Sequence, residues 1–488
     1  MSQQTFKKIA LYTLGTFTGI AVSLSVQSFA ESRGSKQALP VDSLRTMAEV
    51  YGQIKANYYE NKNDDEILEG ALKGMVSNLD PHSEYMTVKD YADLQESTKG
   101  EFGGLGMEIG SEDGFIKVVS PIEDTPAERA GIRSGDYIIK IDEDSTRGMS
   151  VTDAVKRMRG EPGTKITLTL TRKDEAKPIV VHLTRAIIKV RSVRHHLIEP
   201  GYGYVRISQF QERTVPALAD AVKALRRQND APLKGVILDL RDDPGGLLNG
   251  AVGVSAVFLQ PGQPVVSTKG RDGRASMSLK AQPQDYRVGA GNDPLADLPP
   301  ELKNIPLTVL INSGSASASE IVAGALQDHK RAVIVGTQSF GKGSVQTVMP
   351  LSNGGAIKLT TQLYYTPNDR SIQAQGIVPD VEVADKNRRY ESREADLSGH
   401  IGNPKGGNEV KGRALQHQAD PAEAAESKAA SEAESGKNEE EALSSRHIPN
   451  PEKDDQLRRA LELVKSPQQW QASLGQAARQ PAKAESGK

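Results

Sequence analysis

Between Leu307 and Gln346 the chain sets a serine cluster and a lysine in surroundings suited to acyl transfer. An apolar run at 307–311 leads into Asn312-Ser313-Gly314-Ser315-Ala316-Ser317-Ala318-Ser319-Glu320. A helical stretch of small residues and an apolar run ending at Gly336 follow, and then Phe340-Gly341-Lys342-Gly343-Ser344-Val345-Gln346. A serine at a strand-to-helix turn stands exposed above a sheet, beside helix N-terminal amides that stabilise negative charge. Serine at its ordinary pKa is a weak nucleophile and needs a base. Lysine serves only when neutral, so its pKa must fall from about 10.4 by about 3 units, ~4 kcal/mol of work done by its surroundings. Gly341 and Gly343 let the chain turn sharply and carry Lys342 into an apolar site. Gln346, on a strand-like run just beyond, is placed to hold the amine by a hydrogen bond.

Other chemistry competes for the same residues. Ser-Ala-Ser-Ala-Ser also suits a plain helix start capped by Ser319. The stretch from Gly336 to Lys342 matches a nucleotide-binding P-loop except at its last position, where Gly343 replaces the required Ser or Thr and a strand replaces the helix. His329, beside Asp328, sits at the far end of the helix that starts at the serines, about 12 residues or ~18 Å away, which is too far for a triad. His195 and His196 remain open as triad partners, since a triad is defined by geometry rather than chain order. The sequence contains neither a G-x-S-x-G elbow nor a His-Glu-x-x-His motif. A metal site built from Asp239, Asp242 and Asp243 is a weaker alternative, and no cofactor is expected.

The rest of the chain is read for what positions these residues. With 488 residues and 37% hydrophobic composition, several domains are expected. A formal charge of -2 without a long basic run argues against nucleic acid. Residues 1–30 read as a secretory signal: Lys7 and Lys8, an uncharged stretch from Ile9, and Ser28-Phe29-Ala30, with a retained membrane anchor as the alternative. The absence of cysteine fits an oxidising periplasm.

Residues 31–96 are expected to be helical, with Leu44, Met47, Tyr51, Ile54 and Tyr58 on one stripe and a second helix over 65–79. Between about 97 and 190 the pattern changes to short β-branched runs, interrupted by an amphipathic helix near 151–158. This segment resembles a PDZ domain, through Gly104-Leu105-Gly106-Met107 and, further on, Ala130-Gly131-Ile132-Arg133-Ser134-Gly135-Asp136. A PDZ domain adds a peptide C-terminus as a strand and holds its carboxylate on the glycine-rich loop, which would make Gly104, Leu105, Gly106 and Met107 the peptide-binding loop.

From 191 to 386 strands and helices alternate: strands over 202–207, 235–240, 307–311 and 332–336, helices over 215–228, 247–258 and 319–327. Such alternation predicts a multidomain α/β protein whose core has a mainly parallel sheet. The Glu/Ala/Ser-rich stretch 387–450 is expected to be a largely disordered linker. A helix over 455–464, within a tail at 451–488, carries the stripe Leu457, Leu461 and Val464, suited to docking on the body or on another subunit.

Ser-Ala-Ser-Ala-Ser-Glu followed, after a gap that puts Lys342 25 residues beyond Ser317, by Gly-Lys-Gly-Ser-Val-Gln resembles the carboxyl-terminal processing (tail-specific) proteases. The resemblance covers about residues 40–385 and includes Asn78-Leu79-Asp80-Pro81-His82-Ser83-Glu84-Tyr85. It implies a Ser-Lys dyad, with Ser317 chosen as nucleophile among its neighbours, Lys342 as general base and Gln346 assisting. The family's Leu-Arg-x-Asn-Pro-Gly-Gly motif appears as Leu240-Arg241-Asp242-Asp243-Pro244-Gly245-Gly246, with Asp243 where Asn is usual. By the resemblance, Ala318 and either Gly245 or Gly246 supply the oxyanion-hole amides. The Asp leaves those amides in place, but a carboxylate pointing inward would oppose an oxyanion.

The resemblance further implies periplasmic endopeptidase activity on protein tails, with envelope proteins and cell-wall hydrolases as substrates. It also implies a helical-repeat lipoprotein adaptor in some members, and homo-oligomers that would form here through the N- and C-terminal helices. The rival reading, a catalytically silent PDZ scaffold, is disfavoured by the intact Ser317, Lys342 and Gln346.

Overall fold

The computed structural model describes residues 40–112, 114–173, 175, 177–273, 276–386, 388, 390–406, 409–414 and 449–476. The signal expected at 1–30, most of the linker and the end of the tail lie outside these residues. Among the described residues no helix is long and apolar enough to cross a membrane.

The chain divides into two units, residues 1–72 and 73–488. In the first, the helix Val41–Asn57 has no buried residue, and Leu44 and Met47 of its apolar stripe are 49% and 43% exposed. Lys55 pairs with Asp64 at 2.7 Å and donates to the Lys62 carbonyl at 2.9 Å, which fixes the link to the next helix, Asp64–Ser77.

The second unit opens with a short strand the sequence did not announce, β1 (Glu84–Met86). The helix Val88–Lys99 begins at Thr87, whose hydroxyl accepts the Asp90 N–H while the Asp90 carboxylate accepts the Thr87 N–H. It ends at Gly100, where φ is +72°. The segment that resembles a PDZ domain follows as β2 (Glu101–Gly104), β3 (Met107–Glu112), β4 (Phe115–Pro121), β5 (Tyr137–Ile141), β6 (Asp144–Ser145), β7 (Lys165–Thr171), β8 (Ile179–Thr184) and β9 (Ala186–Lys189). Strands β3, β4, β5, β7 and β8 form one sheet in that order, with β6 beside β5. Alternation along β7 turns Ile166, Leu168 and Leu170 inward onto Ile116, Val118 and Ile138. The helix Val151–Met158, capped by Ser150, closes this core with Ala154 and Met158. Antiparallel pairing of β2 with β9 ties the start of the segment to its end.

The remaining strands are β10 (Val193–Glu199), β11 (Tyr202–Ile207), β12 (Gly235–Asp239), β13 (Pro264–Gly270), β14 (Met277–Lys280), β15 (Leu307–Ile311), β16 (Val333–Gly336), β17 (Ser344–Pro350), β18 (Ala356–Tyr365) and β19 (Val381–Glu382). One sheet runs β10-β11-β12-β15-β16-β19. Its pairings are parallel from β11 to β19 and antiparallel between β10 and β11. Every residue of β12 and β15 is buried, because helices cover both faces. Val236, Leu238 and Val309 pack with the helices Thr214–Asn229, Leu248–Phe258 and Ala318–Asp328, whereas Ile237 and Leu310 face the helix Asp455–Lys465. A second, antiparallel sheet, β1-β18-β13-β14 with β17 on β18, was not legible in the chain pattern.

The stripe Leu457, Leu461 and Val464 takes the first of its two expected seats, the body of this chain, where it is buried on Ile237, Leu310 and Val335, so this face is not left for self-association. One expectation is corrected. The linker expected from 387 begins later, since residues around 390–406 pack against the body. Arg393, 3% exposed, donates to the carbonyls of Gln338 (2.8 Å) and Ser339 (2.6 Å) and pairs with Glu391 at 2.8 Å. A polar composition reads as disorder unless its charges find buried partners, as these do.

Candidate active site

Ser317 lies between β15 and the helix Ala318–Asp328 at φ +53°, ψ −111°. Positive φ at a residue with a Cβ costs about 1–3 kcal/mol and persists only where neighbours enforce it. Here the enforcing contacts can be named. The Ser317 N–H donates to Glu320 Oε2 at 2.8 Å, while the Ala316 N–H and the Ser319 hydroxyl both donate to the Asp243 carbonyl at 3.0 Å. The Ser315 hydroxyl donates to the Leu240 carbonyl at 2.7 Å. The serine turn is thereby pinned to the loop that follows β12.

The lysine loop needs its glycines for close approach. Gly341 has φ +101°, and a Cβ on Gly343 would stand 2.6 Å from the Gln373 nitrogen. Glu320 joins this loop to the serine turn: its fully buried carboxylate also accepts the Gly341 N–H (2.7 Å), the Lys342 N–H (2.9 Å) and the Ser339 hydroxyl (2.5 Å). Burial pushes Glu320 up to about 7, against these hydrogen bonds, which favour its charge. Tyr364, buried on β18, makes a second bridge, with its hydroxyl donating to the Lys342 carbonyl and within hydrogen-bonding reach of the Ser317 side chain.

Burial, aided by the nearby Lys358 charge, lowers the pKa of Lys342, while Glu394, Glu320 and Asp80 oppose that shift. Gln346 is not bonded to the lysine: its amide donates to the Ser344 hydroxyl at 3.0 Å and the Thr360 hydroxyl at 3.1 Å. Thr360 in turn donates to Asp80 at 3.0 Å. Burial would raise the Asp80 pKa, but bonds from Ser83, His82 and Thr360 bring it below the ordinary value. His82 Nε2 stands 2.8 Å from Glu394, a carboxylate with no exposed surface that also accepts from Gln373 at 3.1 Å.

Sequence reasoning assigned no role to Glu320, Tyr364, Asp80, His82 or Glu394. For Glu320 a signal existed: an acid three residues after the serine, the capping-box position. For the others, chain distance hid the contact.

The two candidate oxyanion glycines separate clearly. A Cβ on Gly245 (φ +99°) would stand 2.8 Å from both the Ala318 nitrogen and Ser317 Cβ, so Gly245 abuts the serine turn. Gly246 instead presses on Phe210, whose carbonyl oxygen a Cβ would approach to 2.1 Å. Ala318 is the first residue of its helix, where backbone N–H groups lack intrahelical partners. The Gly245 N–H donates to Asp243 Oδ1 at 2.9 Å.

The weighed alternatives fall elsewhere. His329 Nε2 lies 2.7 Å from the Pro264 carbonyl. His195 and His196 sit on the edge strand β10, opposite Val205 and Tyr204. Asp239 pairs with Arg241 (2.7 Å) and Arg206 (3.4 Å), and Asp242 with Arg388. After Lys342 the chain continues as β17, where a P-loop would have a helix.

In the PDZ segment, Gly106 adopts φ +78°, and its carbonyl accepts the Ile122 N–H and the Thr125 hydroxyl, both at 2.9 Å. A Cβ there would stand 2.3 Å from Thr125. Leu105 is buried and its carbonyl accepts the Ala127 N–H at 2.9 Å. The Gly104–Met107 loop thus leads rigidly into β3. Met107 and Ile109 on β3 and Val151 on the helix are partly buried on the same core.

The sequence pattern of peptidase family S41 matches residues 201–383, that of a PDZ domain residues 117–172, and that of the activating protease CtpB N-terminal domain residues 9–90. Together these define a serine-type hydrolase that carries a PDZ domain ahead of its protease core. A carboxy-terminal-processing protease of Bartonella bacilliformis is 43% identical over 402 residues, covering 81% of this chain and 88% of the relative. The carboxy-terminal processing protease CtpA of Bacillus subtilis is 33% identical over 382 residues, covering 77% and 78%. Among solved structures, a photosystem II D1 C-terminal processing protease is 29% identical, covers 68% of this chain and 85% of that one, and superposes with a TM-score of 0.38. The chain belongs to the carboxy-terminal-processing protease family.

Proposed function

We propose that the protein cleaves peptide bonds with Ser317 as nucleophile and Lys342 as general base. The observation that carries this is the pairing of a strained Ser317 turn with the half-buried Lys342 loop on one carboxylate, Glu320. Neutral Lys342 takes the Ser317 hydroxyl proton as the oxygen attacks the carbonyl, then returns it to the leaving amine. Water, activated by the same lysine, releases the acyl group. The Ala318 N–H, and the Gly245 N–H once it leaves Asp243 Oδ1, bind the developing oxyanion. Gln346 steadies the amine once its amide leaves Ser344 and Thr360.

The PDZ loop Gly104–Met107 takes up a protein C-terminus and delivers the chain to Ser317. Residues 1–30 direct export to the periplasm, and residues 97–190 and 191–386 work as PDZ and protease domains. Envelope proteins, cell-wall hydrolases among them, are the proposed substrates, delivered in part by a helical-repeat lipoprotein adaptor. Self-association falls to the N-terminal helix, where Leu44 and Met47 are exposed.

Removing residues 102–190 tests the PDZ role. Altered cleavage of a tailed substrate is expected, and unchanged cleavage would remove the PDZ domain from the mechanism.

A further inference from the structure

Asp243 has no exposed surface, and its two carboxyl oxygens sit in unequal surroundings. Oδ1 accepts the Gly245 N–H at 2.9 Å, whereas Oδ2 is buried without a hydrogen-bond partner. A buried carboxylate normally gathers donors to both oxygens or pairs with a cation. Among the described residues no salt bridge reaches Asp243.

The charged groups around it are otherwise engaged. Arg206 on β11 is the cation that faces it, but that guanidinium pairs with Asp239 at 3.4 Å and donates to the Arg241 carbonyl at 3.2 Å. Arg241 is bound to Asp239 at 2.7 Å and to Asp454 at 2.8 Å. Asp239, at the end of β12, adds a negative charge that disfavours a second one. The adjacent Asp242 turns away to Arg388. From the serine helix the uncharged Ser319 hydroxyl faces the carboxyl, while Glu320 of the same helix is held by the Ser317, Gly341 and Lys342 N–H groups and is present in parent and variant alike.

Burial drives the Asp243 pKa up to about 7, against the pull of the Gly245 N–H, Ser319 and Arg206. A neutral acid is also the closer match to the asparagine usual at this place in the family motif, since it keeps one acceptor oxygen and adds one O–H donor.

We propose that Asp243 works as the uncharged acid and that its ionisation disables the oxyanion site, giving the enzyme a built-in alkaline limit. The idea deepens the Ser317 and Gly245 reading and rests on it. Two effects act in the same direction. An ionised Asp243 would hold the Gly245 N–H in a charge-assisted hydrogen bond and so withhold it from the oxyanion. It would also set a negative charge one hydrogen bond away from a developing one, in a site with little water. Loss of a single oxyanion donor slows acyl transfer by roughly 10²–10³-fold, so the rate follows the neutral fraction of Asp243.

The test compares the full chain with its Asp243→Asn form on one peptide substrate from pH 5.5 to pH 8.5. Lys342 titrates in both proteins, so its rising limb cancels in their ratio. The ratio of kcat/KM, variant over parent, is expected to climb about tenfold between pH 6 and pH 8. A ratio that does not change with pH overturns the proposal.

Thermal unfolding gives a readout independent of catalysis. A raised acid pKa means that stability is lost as pH rises towards it, so the Tm of the parent should fall relative to the variant between about pH 4 and pH 7. A Tm difference constant over that range contradicts a neutral Asp243. Failure of Asp243→Asn to fold would contradict it too, because the amide is the neutral acid's isostere. If the ratio is flat while Ser317→Ala is inactive, this proposal fails and the nucleophile assignment stands. If Ser317→Ala retains activity, that assignment itself has failed.

Discussion

The strand end at Asp239 and the loop at Asp243 are four residues apart, and both acids are fully buried, yet their pKa values are shifted in opposite directions. Burial alone would push both pKa values up. At Asp239 the charges and hydrogen bonds of Arg241 and Arg206 more than offset burial and hold it at about 2. At Asp243 the nearby Arg206 is engaged by Asp239, and burial carries it to about 7. Depth therefore does not decide whether a buried acid is charged; the partners do. The consequence is a division of labour along one loop: the Asp239 end locks β12 to β11 and to the C-terminal helix, and the Asp243 end, proposed to work uncharged, lies against the serine turn.

That division is sharpened by changes that should cost rate on one side and folding on the other. The largest effect is expected at Lys342, the proposed base. Lys342→Ala should lower kcat by about 10³-fold or more while leaving the unfolding midpoint near that of the parent. His329→Ala, whose ring bonds the Pro264 carbonyl, should stay within about twofold of the parent rate; the reverse pattern would restore a histidine triad.

Next comes Asp239→Asn, which leaves the part-buried Arg206 without its counter-charge and Arg241 with Asp454 alone. A loss of about 3–5 kcal/mol in denaturant unfolding is expected. Because the Asp239 pKa is depressed, its stabilisation should be present above about pH 4 and fade as pH falls towards about 2. Asp243→Asn should act in the opposite sense, with a gain of up to ~4 kcal/mol that develops between about pH 4 and pH 7. Equal responses of the two variants to pH would erase the contrast between the acids. The smallest effect is expected far from the serine. Gly106→Ala forces strain of about 1–3 kcal/mol into the PDZ loop and should raise KM for a tailed substrate several-fold with little change in kcat.

Local features were legible in the sequence. Strand β15 is an uninterrupted apolar or β-branched run, β5 and β11 are such runs broken only by Lys140 and by Gly203 and Arg206, and the serine and lysine segments announce themselves through small residues and glycines. The antiparallel sheet of β1, β13, β14, β17 and β18 was not, because its strands are mostly half-exposed and the pairings that assemble it, β1 and β13 with β18, span long stretches of chain. The same distance concealed Glu394, which reaches His82 from 312 residues away within a stretch whose composition suggested disorder. Gln346 was placed near the site from spacing, but spacing could not give the direction of its amide, which Ser344 and Thr360 hold. The unusual Asp243 stood out against the family motif, whereas its missing partner appears only once Arg206 and Arg241 are seen bound to Asp239.

The most direct measurement incubates the purified chain and its Ser317→Ala form, both at neutral pH, with a loosely folded protein and follows the appearance of new peptide N-termini. Cleavage by the parent and none by the variant is the predicted result. Equal cleavage by both, or by neither, would contradict the assignment of Ser317 as the nucleophile.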